Sequence, residues 1–201
     1  VRHEKTVLPL KPHQAPDNRD SIAKLLYHQL FTYLVDVINA STAAPSGSAR
    51  SYIGILDIFG FELFETNSFE QLCINYTNEK LHQLSTQFIF KQEQDEYERE
   101  GVPWTLISYA DNAAALELIE GRLGVLALLD EECRFPKGTD ASLLSKCHET
   151  LAAHPLYLRP RQSSAQFGVR HYAGDVMYTI DGFLDKNRDL VRAQIVVAAQ
   201  Q

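Results

Sequence analysis

From Ser68 to Glu100 the chain contains neither glycine nor proline, and an uninterrupted helix of that length constrains a fold more than any other feature here. Ser68, with Gln71 three residues on, makes a capping box at its start, while Gly101 and Pro103 supply the stop. At 1.5 Å per residue the helix spans roughly 45 to 50 Å, longer than a small domain needs. Phe69, Leu72, Cys73, Tyr76, Leu84 and Phe88 recur close to helical spacing, so its first part carries a core-facing stripe. After Phe90 the run Lys91 to Glu100 is polar almost all round, with acids near a helix C-terminus where the macrodipole disfavours them. A helix anchored at one end and projecting at the other suits a transmission rod. A solvated helix end is the plainer alternative, and helix physics alone does not choose between them.

Just before this helix, Ser51 to Leu56 is a nearly unbroken apolar run, too short for an ordinary helix and β-branched enough for a central strand. Asp57 follows directly, and Glu62 lies beyond Gly60, so two carboxylates flank a glycine where a buried strand leaves its sheet. In α/β sheets ligands sit at that carboxyl end. Nucleotide hydrolases place an aspartate there to hold magnesium through bound water, because Mg²⁺ keeps much of its hydration shell. Gly60, without a Cβ, lets its backbone approach a phosphate closely. Taken alone, a strand ending in Asp beside a Gly is more often an ordinary strand-to-turn junction.

The sequence Asp57-Ile58-Phe59-Gly60-Phe61-Glu62, followed by Asn67-Ser68-Phe69-Glu70-Gln71-Leu72-Cys73-Ile74-Asn75-Tyr76-Thr77-Asn78-Glu79-Lys80-Leu81, resembles the switch II loop and relay helix of myosin motor heads. The resemblance implies catalytic roles for Asp57, Gly60 and Glu62. Asp57 would lie near the magnesium through water, the Gly60 amide would sense the γ-phosphate of ATP, and Glu62 would pair with an arginine of a switch I loop. The long helix would carry that state toward a converter and lever arm.

Elsewhere, Val1 to Pro16, with prolines at 9, 12 and 16, reads as an extended entry segment. A helix capped by Asp17 or Asn18 follows, and Ile22, Leu25, Leu26, Leu30, Tyr33 and Leu34 give it a broad apolar face expected to pack in a core. Asn18 to Tyr27 resembles the helix that precedes switch II in myosin heads. Ala40 to Arg50 reads as a surface loop. Trp104 to Tyr109 can form a short strand, and Asp111-Asn112 can cap a helix through Ile119. Trp104 most simply fills a core or interface; the resemblance places it near the relay loop and converter contact.

Residues 123–151 read as a helix-loop-helix, broken at Pro136-Lys137-Gly138 and restarted by Thr139 or Asp140, with Phe135, Pro136 and Lys137 at its tip. Such a hairpin is at minimum two packed helices. In myosins the similar segment binds actin, which implies an actin-facing set Phe135, Pro136, Lys137, Gly138 and Thr139. An apolar tip beside a lysine suits a partner that is acidic and partly hydrophobic. Over 166–189 the alternation of Phe167, Val169 and His171, then Val176, Tyr178 and Ile180 after a Gly174-Asp175 turn, predicts paired strands followed by a helix. His171 reads as a hydrogen-bonded structural histidine in preference to a catalytic one. Phe167 to Val176 and Gly182 to Asp189 also resemble myosin segments, so the resemblance covers roughly residues 15 to 192.

The fold class expected is therefore α/β, mostly helical: part of a P-loop NTPase-type myosin head with a few strands of the central sheet and the lower actin-binding subdomain. The composition is globular, and no apolar run reaches transmembrane length. Cys73, Cys133 and Cys147 lack metal-type spacing and read as free thiols. Residues 1–132 carry 10 basic and 20 acidic side chains, an imbalance that argues against a nucleic-acid partner. No two of the ten glycines stand five positions apart, so the Gly-x4-Gly-Lys cradle for a triphosphate is absent from this sequence.

The chain thus reads as the middle and lower part of an actin-based motor head, cytoplasmic and cytoskeletal. Its partners would be the actin filament and the remainder of the head, with ATP and Mg belonging to the complete head and none to the isolated chain. Val102 to Ile107 and Leu128 to Cys133 resemble class V or XI unconventional myosins more than muscle types. Two alternatives stand beside this reading: an actin-binding module from a head that does not hydrolyse ATP, and an unrelated helical scaffold.

Overall fold

The structure, a computed structural model, describes residues 12, 14–43, 53–103, 105, 111–161 and 165–188. The chain divides into two units, Val1–Leu56 with Asp189–Gln201, and Asp57–Arg188. The first unit's described element is the helix α1 (Gln14–Thr42). Leu25 is buried, but Ile22, Leu26, Leu30, Tyr33 and Leu34 are exposed, contrary to the core packing expected of that face. The apolar stripe is present in the helix; the surface it is patterned to cover is not supplied by the described residues of its own unit.

The second unit is built on the long helix, observed as α2 (Phe69–Thr86), a π-helical stretch Gln87–Gln92, and α3 (Glu93–Glu100). Ser68 and Gln71 form the capping box, the Ser68 amide donating to the Gln71 side chain at 2.9 Å. Gly101 ends the helix at φ 66°, a left-handed geometry that only glycine takes without a Cβ penalty. Leu72, Asn75 and Glu79 are the buried positions, whereas Leu84 and Phe88, expected on the core stripe, are exposed. The helix runs past the body that covers its first half, and the π-helical turn rotates the later side chains off the earlier register.

α4 (Ala113–Glu120), α5 (Val125–Arg134) and α6 (Asp140–Thr150) follow. A sheet of β1 (Tyr157–Leu158), β2 (Gln166–His171) and β3 (Gly174–Thr179) is antiparallel throughout, in the order β1-β2-β3. The pairs Phe167 with Tyr178 and Val169 with Val176 lie opposite one another and are all buried. They meet Leu72 of α2, Leu129 of α5 and Leu143 of α6 in one core, each side chain contributing about 1.5 to 3 kcal/mol. The hairpin turns at Tyr172-Ala173, not at Gly174-Asp175, because His171 pairs directly with Gly174.

The strand expected over 51–56 differs more. Residues 53–60 have no regular secondary structure, and Ile53 and Ile55 are each 96% exposed. An apolar strand is stable only between hydrogen-bonding neighbours, and the described residues offer it none. Ser51 and Tyr52, Trp104, and most of the strand expected at 104–109 lie outside the described residues.

The core is closed by α7 (Phe183–Asn187), whose Phe183 and Leu184 are buried. Its orphan amides are met from another element: the Asp140 carboxylate accepts from the Gly182 amide at 2.7 Å and the Leu184 amide at 3.0 Å. Asp140→Ala should lower stability by about 1 to 2 kcal/mol, as loss of a helix cap does. Asp181→Ala, at a neighbouring exposed carboxylate, should stay within about 0.5 kcal/mol. Urea unfolding of the two variants checks the contrast.

Candidate functional site

Residues 57–67 have no helix or strand to satisfy their backbone, and three asparagines take over part of that task. Asn75, fully buried on α2, accepts from the Glu62 amide at 2.8 Å and donates to the Glu62 carbonyl at 2.8 Å. Asn78, one turn further, donates to the Phe59 carbonyl at 3.0 Å. Asn67 treats Phe64 the same way, accepting from its amide at 2.8 Å and donating to its carbonyl at 3.0 Å. Asn67 also reaches the sheet, since its carbonyl accepts from the Thr179 amide at 2.8 Å. A carboxamide suits this work because it carries a donor and an acceptor side by side, matching a peptide edge. The loop is thereby stapled to α2 and to β3.

Asp57 and Gly60 lie on this loop and are exposed, and neither has a hydrogen-bond partner among the described residues. A Cβ built on Gly60 would find nothing within 4 Å. Asp57, Ile58, Phe59, Ile74 and Thr77 border an open groove of about 440 Å³. Glu62 is half-buried; one carboxylate oxygen accepts from Gln71 at 3.3 Å and the other is unengaged among the described residues. One free carboxylate, one free amide and an unobstructed glycine are groups that magnesium and a phosphate use. Among the described residues, no group of three or more His, Cys, Asp and Glu side chains could hold a metal unaided. The groups present are compatible with a hydrated Mg²⁺ and a phosphate. Of the predicted site residues, Asp57, Gly60 and Glu62 fall on one loop, while the tip at 135–139 is a separate feature.

Behind the loop runs a buried polar chain. Asn75 donates to the Tyr178 hydroxyl at 3.0 Å, and that hydroxyl lies 2.8 Å from His171 Nε2. His171 Nδ1 lies 3.0 Å from Glu79 Oε1, with both side chains fully buried. Glu79 also accepts from the Tyr172 amide at 2.9 Å and from Asn112. Burial by itself would raise the Glu79 pKa, but the hydrogen bonds from His171, Asn112 and the Tyr172 amide outweigh it and hold the carboxyl below its ordinary value. Burial pushes the Tyr178 phenol well above its ordinary range, so it keeps its proton. His171 is the hydrogen-bonded histidine expected. Sequence reasoning passed over Asn75, Glu79 and Tyr178. The signal was present: Leu72, Asn75, Tyr76 and Glu79 follow i, i+3, i+4, i+7, so two polar residues occupy an apolar stripe.

At the tip between α5 and α6, Phe135 is 54% exposed, and Pro136 and Lys137 are exposed. Lys146 Nζ sits 5.1 Å from the centre of the Phe135 ring, a cation–π contact that fixes one face of it. Lys137 has no hydrogen-bond or ion-pair partner among the described residues. Gly138 is required sterically, since a Cβ there would fall 2.2 Å from the Glu132 carbonyl. Thr139 caps α6 in a box with Ser142, whose amide donates to it at 3.1 Å. Below the tip the Lys146 hydrogen bond, at 2.7 Å, and that of Ser142 hold buried Glu132 below its ordinary pKa.

Comparison with known proteins bears on both features. The chain matches the family model of the myosin head (motor domain) over residues 1–201. It is 53% identical over 192 residues to Myosin-I heavy chain of Dictyostelium discoideum, covering 95% of this chain and 8% of that protein. It is 48% identical to Unconventional myosin heavy chain 6 of Caenorhabditis elegans over 98% of this chain and 10% of that protein. With human Unconventional myosin-Vc the identity is 46% over 96% of this chain and 11% of that protein. The chain thus spans about a tenth of the length of these relatives. Relatives carrying different class names match almost equally, so these identities do not single out class V or XI. The alternative of an unrelated helical scaffold is set aside, because the match runs through the loop, the long helix, the helix-loop-helix and the sheet alike: the chain belongs to the myosin head (motor domain) family.

Proposed function

We propose that this chain is the part of an actin-based motor head that links the state of a nucleotide to the long helix and, separately, supplies a surface for actin. The observation that carries the first half is the stapling of the loop: Asn75 holds both polar groups of the Glu62 peptide edge, and Asn78 holds Phe59. A displacement of Gly60 is passed through Phe59 and Glu62 to α2, because the carboxamides leave the loop no independent register. When bound, ATP and Mg²⁺ would supply the transferable phosphoryl group and its compensating charge. Asp57 would offer a carboxylate to the magnesium through water, the Gly60 amide would donate to the terminal phosphate, and Glu62 would pair with an arginine from a segment outside this sequence. The remaining head would supply the triphosphate cradle. Localisation follows the partner, the cytoskeleton, and no helix of the described residues is long and apolar enough to cross a membrane.

The open space around Gly60 gives this reading a clean test. In the complete head, Gly60→Ala should leave folding and nucleotide affinity unchanged while slowing hydrolysis by roughly 10² to 10³: alanine keeps the amide N–H, but its Cβ obstructs closure and holds that donor away from the terminal phosphate, which costs about as much as losing one donor to a developing charge. Single-turnover assays check it, and unchanged turnover would remove Gly60 from the mechanism.

Support for the second half is the tip geometry, an exposed ring with a lysine beside it that makes no internal bond. Phe135→Ala should weaken actin binding mainly through faster dissociation, as loss of an apolar anchor does. Lys137→Glu should instead slow association, most visibly at low salt. Stopped-flow binding to actin at two ionic strengths separates the two effects; parent-like binding by both variants would place the actin surface elsewhere.

A further inference from the structure

The hydrogen-bond directions in the buried chain behind the loop are fixed from both ends. At one end the Glu62 backbone allows a single orientation of Asn75: its oxygen must face the amide N–H and its nitrogen the carbonyl. The same nitrogen then donates to the Tyr178 oxygen. Tyr178 keeps its own proton, and the neighbour left to receive it is His171 Nε2 at 2.8 Å. At the other end Glu79 accepts from the Tyr172 amide and Asn112, so it meets His171 as an acceptor and Nδ1 carries the imidazole proton. Either reversal has a cost. A proton on Nε2 would turn the Tyr178 hydroxyl around and strand its hydrogen in a fully buried site, a penalty of about 1 to 3 kcal/mol.

We infer that Glu79, His171 and Tyr178 are positioning residues that hold the Asn75 carboxamide, and through it the Glu62 backbone, in one orientation, with the His171 proton on Nδ1 and Nε2 left as the acceptor. The carboxylate sets the imidazole, the imidazole sets the hydroxyl, and the hydroxyl sets the carboxamide. Phe61, from the loop itself, packs edge-on against His171 with ring centres 5.4 Å apart. This orientation rests on geometry alone; its bearing on hydrolysis rests also on the proposed reading of the loop.

Nitrogen NMR of the chain carrying ¹⁵N-labelled histidine, with His171 assigned by comparison with His171→Gln, tests the tautomer without altering the site. A bare Nε2 and protonated Nδ1 are expected; a proton on Nε2 overturns the inference. Tyr178→Phe then removes one oxygen from the middle of the chain. Hydrogen exchange at the Glu62 amide should quicken roughly three- to tenfold, the worth of one net hydrogen bond, and the Nδ1–H signature should fade. Unchanged exchange in a variant that retains its helical content overturns the link from Tyr178 to Glu62. In the complete head Tyr178→Phe should slow hydrolysis at least threefold with nucleotide affinity unchanged. If Gly60→Ala slows hydrolysis and Tyr178→Phe does not, the positioning role fails while the loop reading stands. If both are silent, the loop reading itself is at fault.

Discussion

Asn75 sits with no exposed surface on a helix face whose other buried members are Leu72 and Glu79, and its single carboxamide meets the N–H of Glu62, the C=O of Glu62 and the hydroxyl of Tyr178. A polar group so placed is destabilising unless every hydrogen bond is made, and here the partners come from the loop on one side and the sheet on the other. That one side chain therefore ties three elements together. The loop has no regular structure of its own, so its conformation in this region is the one the carboxamides of Asn67, Asn75 and Asn78 dictate. An irregular segment held this way keeps a defined shape while leaving Asp57 and Gly60 uncommitted.

The same pattern appears around two buried carboxylates among the described residues. Glu79 and Glu132 are each almost without exposure, a costly placement for a charge in an apolar setting. Glu79 is offset by hydrogen bonds from neutral groups and an imidazole, while Glu132 has the ammonium of Lys146 and the Ser142 hydroxyl. One lies behind the loop and the other below the helix-loop-helix tip. Each fixes a connection whose backbone would otherwise be underdetermined, and Asp140 does likewise for the N-terminus of α7. Apolar burial holds the helices and sheet together, and these charges set where the irregular segments lie.

The helices of the second unit were legible in the sequence because their signals are local: the Ser68–Gln71 box, Gly101 as the stop, Thr139 before α6; α1 was legible as a helix but not in its start, since it begins at Gln14, ahead of the expected Asp17 or Asn18 cap and inside the segment expected to be extended. The paired strands were legible for the same reason, through period-two alternation. The segment at 51–56 was not, since its β-branched pattern is written for neighbours that the described residues do not contain. Leu84 and Phe88 misled in a related way, because periodicity reports a face and not what covers it. Within the candidate site, Asp57, Gly60 and Glu62 stood out through their order along the chain. His171 was legible as a hydrogen-bonded histidine but its partners Asn75, Glu79 and Tyr178 were not, because their link is made by a fold that brings residue 75 to residue 178; no spacing announces it. Only the two polar interruptions in the α2 stripe pointed that way.

Held by the carboxamides of Asn75 and Asn78, the loop and the long helix form one rigid piece. Leu63 on the loop and Leu84 on the helix are both exposed, so spin labels at these positions, on a background with Cys73, Cys133 and Cys147 replaced, do not disturb the core contacts of either. Pulsed electron-spin distance measurements should give a single narrow distribution in the parent and a broad one once Asn75 is replaced by alanine. A distribution already broad in the parent, or one left narrow by Asn75→Ala, would show that the asparagine staples do not make the loop and helix one piece.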